Sequence, residues 1–383
     1  MFAGFLFSIH KLKGWRSCSV KSKIPVYQPD LSGNEKKYVN ECLDSSWISS
    51  KGHFVSAFER SFADYTQTKH ATSVSNGTVA LHLALLALEI GPGDEVIVPS
   101  FTYIASVNAI RYVGATPIFA DIEPESWQLD VSKLKMLINK NTKAIIAVHI
   151  YGHPCDMVSL KELALQNQLL LVEDCAEAFG SRIDSQHVGT FSDIATYSFF
   201  GNKTVTTGEG GMVVTQKTEL DSKIRHLKCQ GLEPGREYWH DVIGYNYRMT
   251  NICAAIGLAQ LERAPALVKK KQDLAKSYQK LLAGLPLTFQ QIKPRVTHSW
   301  WMFTILVSDT TERDALRLHL SNDNIETRPL FNPVHQMPMY KENDVRLPVT
   351  ESIAGRGMNL PSWPGITGEM IERICNAIWS FYK

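Results

Sequence analysis

The chain has 383 residues, more than a single hydrophobic core usually serves, so its length favours one large domain and a smaller one. Hydrophobic residues make up 44% and charged residues 20%, and the 40 Lys and Arg nearly balance the 38 Asp and Glu. A net charge of +2 lacks the basic excess typical of nucleic-acid or membrane-surface binding, so neither is predicted as a partner.

The first residues differ from the rest of the chain. Residues 1–23 contain a short apolar stretch without a preceding basic residue or a small-residue cleavage site, which disfavours a secretion signal. We interpret them as an N-terminal extension of unknown role. No apolar run reaches the ~20 residues needed to cross a bilayer. Seven cysteines occur singly rather than in CxxC pairs, which suggests a reducing, cytoplasmic location.

Between residues 70 and 215, short β-rich runs alternate with amphipathic stretches such as 77–89 and 103–112. Several runs are apolar almost throughout, as expected of strands buried on both faces of a sheet. The runs are residues 71–75, 95–100, 116–121, 144–150, 169–174, 194–200 and 211–215. This alternation predicts an α/β fold around a mostly parallel sheet.

The composition changes after a helical stretch at 250–263 and a lysine-rich helical stretch at 269–282. Aromatic residues and prolines then separate shorter elements. We therefore predict a large domain over residues 24–264 and a smaller α+β domain over residues 265–383.

Two segments place charged side chains at the ends of predicted strands. Residues 196–215, TYSFFGNKTVTTGEGGMVVT, carry Lys203 in a glycine-rich turn between two predicted strands. By itself this lysine could equally be an ordinary surface residue or a chemically employed one. Asp174 ends the apolar run LLLVED, where open α/β sheets present ligand-binding residues, although a helix-capping role is the alternative.

A third segment, SVSNGTVALHLALLAL, predicts a strand, a turn and a helix that begins at Gly77 or Thr78. The free amides and the dipole of a helix start can bind a phosphate, but Asn-Gly-Thr also begins helices for capping alone. His149, His153 and Asp156 have side chains that can ligate metals, yet their turn context favours packing and capping, so no metal is predicted. The GEGG turn precedes a strand, unlike a dinucleotide fingerprint, and this disfavours a Rossmann oxidoreductase.

In combination, the segments SNGTVALHLAL, VEDCAEAFG, YSFFGNKTVTTGEGG, GYNYRMTNICAAIGLAQLE and NPVHQMPMY resemble the DegT-type nucleotide-sugar aminotransferases. The resemblance runs from about Ile24 to the C-terminus. It implies the aspartate-aminotransferase-like, type I fold of pyridoxal-phosphate (PLP) enzymes, with a seven-stranded sheet, a smaller C-terminal domain and a homodimer.

Matching positions in the family imply roles for residues at the cofactor ring. Lys203 is implied as the catalytic lysine that binds PLP covalently and moves protons. Asp174 is implied at the ring nitrogen, Glu177 near the ring hydroxyl and Tyr103 as an aromatic ring on the cofactor face.

The same matching implies a phosphate site that two subunits share. Gly77, Thr78 and Ser198 match the phosphate-binding residues of one subunit, and Asn246 matches an asparagine that reaches the phosphate from the neighbouring subunit. For the substrate diphosphate the candidates are Arg248, Arg328 and His335, although an interface ion pair or a packed loop histidine would explain them equally well.

The resemblance implies transamination of a nucleotide-linked 4-keto-6-deoxy sugar with glutamate as amino donor. The motifs are most similar to members that aminate C4 of GDP-4-keto-6-deoxy-mannose for O-antigen and lipopolysaccharide biosynthesis. Family members that dehydrate sugars carry histidine in place of Lys203, so the lysine favours transamination. A UDP- or dTDP-linked keto sugar as substrate, and a non-catalytic PLP-binding regulator, remain as alternatives.

Overall fold

In the computed structural model, the protein is described over residues 22–341 and 345–383. The predicted N-terminal extension, residues 1–23, lies outside these ranges except for its last two residues. The strands of the described residues are β1 (His70–Val74), β2 (Glu95–Pro99), β3 (Thr116–Ala120), β4 (Thr142–Val148), β5 (Leu170–Asp174), β6 (Arg182–Ile183), β7 (Gln186–His187), β8 (Ile194–Ser198), β9 (Gly211–Thr215), β10 (Thr288–Phe289), β11 (Val296–Thr297), β12 (Phe303–Leu306), β13 (Arg328–Pro329) and β14 (Gly357–Leu360).

The helices cover the sheet faces and form much of the C-terminal part. They are α1 (Glu35–Asp44), α2 (His53–Thr66), α3 (Gly77–Ala87), α4 (Ala105–Tyr112), α5 (Val131–Leu134), α6 (Met157–Asn167), α7 (Thr218–Lys228), α8 (Asn251–Glu262), α9 (Ala264–Leu281), α10 (Thr310–Asn322), α11 (Pro348–Arg356) and α12 (Gly368–Phe381). Within the described ranges, no helix combines the length and apolarity needed to cross a bilayer.

The main sheet has seven strands in the order β1-β9-β8-β5-β4-β2-β3. The pairs from β8 through β5, β4 and β2 to β3 are parallel, whereas β9 is antiparallel to both β8 and β1. Each predicted run corresponds to one of these strands, so the prediction of a mostly parallel seven-stranded α/β sheet is confirmed. The strands are nearly apolar because helices cover both faces of the sheet.

The register of the sheet brings three chain segments together at one edge. Gly211, at the start of β9, lies opposite Val74 on one side and Ser198 on the other. Helix α3, which begins at Gly77 just after β1, therefore starts beside the end of β8. Because β5 and β8 are parallel, Asp174 and Ser198 end at the same edge, where open α/β sheets bind ligands.

The C-terminal part has its own antiparallel sheet, β10-β12-β14-β13, and its own apolar core. Ile24 is fully buried in that core and pairs with Ile325, so the chain enters the fold through the C-terminal part. The predicted boundary at 264/265 stays a prediction; α8 ends at Glu262 and α9 begins at Ala264, close to that point.

Candidate active site

A cavity of about 710 Å³ opens at the carboxyl edge of the parallel strands. Seven of the residues predicted from the sequence line it: Gly77, Thr78, Tyr103, Asp174, Glu177, Ser198 and Lys203. They come from the start of α3, the loop before α4, the end of β5 and the loop after it, and the end of β8 with the turn that follows. The topology thus gathers segments that are far apart in the sequence.

Lys203 lies in the turn between β8 and β9, with its side chain 13% exposed. Its Nζ is 3.9 Å from Oε1 of Glu177 and 4.0 Å from the ring centroid of Trp301. Its backbone carbonyl accepts a 2.6 Å hydrogen bond from the hydroxyl of Tyr27. Burial lowers the pKa of the Lys203 ammonium, and the nearby carboxylates of Glu177 and Asp174 oppose that effect only in part. The site therefore favours a neutral, nucleophilic amine more than water does.

Glu177 is the buried acidic partner of this lysine. Its Oε2 accepts a 2.9 Å hydrogen bond from the backbone amide of Tyr151. Burial raises the pKa of the Glu177 carboxyl, while the charge of Lys203 acts in the opposite direction. Burial therefore disfavours the charged form of both groups, and their proximity opposes this effect.

Asp174 is 5% exposed and is held by two neutral donors. Its Oδ2 accepts a 2.7 Å hydrogen bond from the hydroxyl of Ser106, and its Oδ1 accepts one of 3.1 Å from the amide of Ala176. These bonds orient the carboxylate without neutralising it. A buried carboxylate of this kind favours a cationic ligand group in the cavity.

The start of α3 packs directly on the end of β8. A Cβ atom placed on Gly77 would lie 2.8 Å from Cβ of Ser198, so only glycine permits this approach. The side chain of Asn76 accepts a 3.0 Å hydrogen bond from the amide of Val79, which caps the helix. The first amides of a helix have no acceptor within the helix, so this edge of the cavity can bind an anion.

Sequence reasoning missed three residues of the site. Ser106 orients Asp174, and Trp301 covers Lys203 from the C-terminal part of the chain. Thr196 also lines the cavity, and its buried Oγ1 has no hydrogen-bond partner among the described residues. The position of Thr196 two residues before Ser198, on the same face of β8, was a usable signal. No such signal pointed to Trp301, because it lies 98 residues beyond Lys203 in the sequence.

Two predicted residues, Asn246 and Arg248, do not line the cavity within the described chain. The guanidinium of Arg248 donates hydrogen bonds of 3.0 and 3.3 Å to Oδ1 of Asn246, which is exposed. The predicted role of Asn246 concerns the neighbouring subunit, and that of Arg248 concerns the substrate diphosphate, so both stay predictions.

The other two diphosphate candidates also lie away from the described cavity lining. Arg328 is exposed and donates to Glu326. His335 is buried, with one ring nitrogen 2.7 Å from the hydroxyl of Ser100 and the other 3.1 Å from Glu351. Both ring nitrogens therefore already have protein partners.

His149, Glu173 and Cys175 form a buried group with atoms that could ligate a metal. One nitrogen of His149 accepts from the amide of Cys155, and the other lies 3.1 Å from Glu173. Glu173 also accepts hydrogen bonds from the residue 189–192 loop. These contacts use the ligand atoms of the histidine and the glutamate, so the group is better explained as a support for the end of β5.

Comparison with known proteins places this geometry in a family. The DegT/DnrJ/EryC1/StrS aminotransferase family matches residues 29–379. The GDP-perosamine synthase of Escherichia coli O157:H7 is 57% identical over 94% of this chain and 99% of its own length. The GDP-perosamine synthase of Vibrio cholerae is 52% identical over 94% of this chain and 99% of its own length.

Solved structures agree with the sequence relatives. DesV of S. venezuelae, in complex with a ketimine intermediate, has a TM-score of 0.87 and 35% identity, covering 91% of this chain and 94% of its own. The PLP form of a putative sugar aminotransferase from Streptococcus pneumoniae has a TM-score of 0.90 and 28% identity, covering 94% and 98%. The resemblance drawn from the motifs is confirmed: the chain belongs to the DegT/DnrJ/EryC1/StrS aminotransferase family, whose enzymes depend on PLP.

Proposed function

We propose that the protein transfers the amino group of glutamate to C4 of GDP-4-keto-6-deoxy-mannose and so produces GDP-perosamine. Two GDP-perosamine synthases that match nearly the whole chain at 57% and 52% identity support the sugar and the nucleotide. The observation that carries the chemistry is the amine of Lys203, on a side chain that is 13% exposed, in one cavity with the carboxylate of Asp174.

The cavity fits PLP on structural grounds. Asp174 is a buried carboxylate without a neutralising side chain bonded to it, as a protonated ring nitrogen requires. The Oγ1 of Thr196, which has no hydrogen-bond partner among residues 22–341 and 345–383, offers a further polar contact in the cavity lining. Gly77 and Ser198 form a close anion-binding edge at the start of α3. Lys203 would bind the aldehyde, Asp174 the ring nitrogen, and the α3 edge the phosphate.

When bound, PLP supplies an electron sink that stabilises the carbanion formed when a proton leaves the amino donor. Lys203 provides the movable proton site. Its lowered pKa makes the neutral amine available to accept a proton from carbon and to return it. Ser106 and Ala176 hold the carboxyl group of Asp174 in its orientation. Trp301 covers the amine and limits its contact with water.

We further propose that two copies of the chain share each active site. Asn246 and Arg248 lie outside the cavity lining of their own chain, as residues that serve a neighbour would. The segment just before them exposes large apolar side chains, with Tyr238 92% and Ile243 90% exposed. Burial of such side chains against a second copy would stabilise a homodimer.

The substrate proposal is tested by incubating the purified protein with PLP, glutamate and GDP-4-keto-6-deoxy-mannose, and by following the products by mass spectrometry. We expect replacement of the sugar carbonyl by an amine, together with 2-oxoglutarate. Parallel reactions with UDP- and dTDP-linked 4-keto-6-deoxy sugars serve as matched alternatives. Faster amination of either alternative sugar would contradict the GDP assignment and leave the aminotransferase assignment intact.

A further inference from the structure

Lys271, on α9, is fully buried. None of the described residues offers it a carboxylate within salt-bridge distance, and burial holds the pKa of its amine well below the ordinary value. Its Nζ donates to the carbonyl of Trp301 at 2.7 Å and to the carbonyl of Ser362. Burying an amine without a counter-charge costs free energy. We therefore expect the role of Lys271 to lie in the groups to which it donates hydrogen bonds.

The carbonyl that Lys271 holds belongs to the residue that covers Lys203. The indole of Trp301 lies with its ring centroid 4.0 Å from the Nζ of Lys203. Its Nε1 donates a 2.8 Å hydrogen bond to the carbonyl of Asn202, the residue just before the lysine. Trp301 is therefore fixed at its backbone by Lys271 and at its indole by the Lys203 turn.

A second path joins the same groups. The hydroxyl of Tyr27 donates to the carbonyl of Lys203, and the ring of Tyr27 lies 5.2 Å from the Nζ of Lys271. Lys271 thus lies behind both side chains that hold Lys203 from the C-terminal part of the fold. If Lys271 only connected α9 to two loops, its contacts would not need to lead to Lys203.

We propose that Lys271 is a positioning residue for Lys203: it fixes the backbone of Trp301 and so keeps the indole over the reactive amine. This inference rests on the proposed role of Lys203 in the reaction. Without Lys271 the carbonyl of Trp301 loses this donor, so the indole is held less firmly over the amine, through its Nε1 bond to Asn202. Water then reaches the Nζ of Lys203 and relieves the desolvation that lowers its pKa. This effect opposes, and for a buried amine exceeds, the loss of attraction between the indole face and the ammonium.

The test measures the protonation of Lys203 directly. The full-length protein, stripped of cofactor, is labelled with acetic anhydride across a pH series, and acetylation of the Lys203 peptide is followed by mass spectrometry. We expect Lys271→Met to raise the midpoint of this titration by about one pH unit, since Glu177 and Asp174, the charged groups that face Lys203, are unchanged. Lys276→Met, which removes an exposed lysine from the same helix, should leave the midpoint at the wild-type value.

A double-mutant cycle separates positioning from stability. Trp301→Leu should raise the midpoint in the same direction, and adding Lys271→Met should cause no further change, because both act through one indole. If Lys271→Met does not fold, Lys271→Gln keeps an amide donor and should give a smaller upward shift. An unchanged midpoint in a folded Lys271 variant, or a full additional shift in the double variant, would overturn the inference. The labelling needs neither substrate nor turnover, so it does not depend on the sugar assignment.

Discussion

Lys203 and Asp174 carry groups that folding would ordinarily leave in water, and both side chains are largely withdrawn from it in one cavity. Burial of each charge costs free energy, which polar neighbours recover only in part. Ser106 and Ala176 donate hydrogen bonds to Asp174 from uncharged groups, and Glu177 lies near Lys203 without closing a short ion pair. At the scale of single residues, the site is therefore strained electrostatically in the free protein and suited to a charged ligand.

We expect Lys203→Ala to abolish covalent attachment of PLP and to leave the fold intact. Borohydride reduction of the wild type should leave the cofactor on the peptide that contains Lys203, and the variant should release it on denaturation. The substitution removes a desolvated amine, so the melting temperature of the variant should equal or exceed that of the wild type. Labelling of another lysine in the wild type would contradict the assignment.

Asp174→Asn should lower turnover by several orders of magnitude, because an amide cannot supply the negative charge that a protonated ring nitrogen needs. Ser106→Ala is the matched variant: it removes a hydrogen bond to the carboxylate and leaves its charge, so we expect a loss of about tenfold to a hundredfold. Steady-state rates at saturating substrate measure both effects. Near-normal turnover by Asp174→Asn would exclude the proposed role.

Among the elements, α3 and β8 determine the shape of the proposed phosphate site through their close contact. Gly77→Ala adds a Cβ that would lie 2.8 Å from Cβ of Ser198, so the helix start must move. We expect PLP affinity, measured by absorbance titration, to fall at least about tenfold, as for the loss of a charge-assisted hydrogen bond. Gly201→Ala has no atom within 4 Å of the added Cβ and serves as the control. Equal affinities for the two variants would refute this account of the site.

His187, in the short strand β7, should make the stability of the fold depend on pH. Burial lowers the pKa of His187 to about 4, below the value of ~6.5 in an unfolded chain. The unfolded state therefore binds the proton first, and stability is lost as pH falls from about 6.5 toward 4. Between pH 7 and pH 5, the free energy of unfolding of His187→Phe should fall less than that of the wild type, by up to about 2 kcal/mol. Urea unfolding at the two pH values measures this difference. An equal decrease in the free energy of unfolding of both proteins would contradict the assignment of His187 as a neutral, buried residue.

For the whole molecule, shared sites make the dimer the proposed functional unit. Asn246→Ala and Lys203→Ala chains should each have little activity, because each variant loses a proposed site component. A mixture that has exchanged subunits should regain part of the activity, since one site of each heterodimer is intact. Heterodimers that form but remain inactive would contradict shared sites.

Much of this protein was predictable from the sequence because the relevant information is local. Seven apolar runs predicted the seven strands of the main sheet, since burial on both faces leaves a contiguous apolar signal. Asp174 could be proposed from its place at a strand end, and the resemblance of the surrounding motifs to the family added Ser198 and the catalytic role of Lys203. The sequence alone therefore determined the α/β architecture, the family and the central part of the candidate site.

Tertiary structure alone decided which distant residues support that site. Ser106, Trp301 and Lys271 lie on different elements from Asp174 and Lys203, and each looks like an ordinary helix or core residue in its own segment. Periodicity shows which face of an element is buried but not what covers it. Only the packing of the C-terminal part against the main sheet brings the indole of Trp301 over Lys203 and the amine of Lys271 behind it.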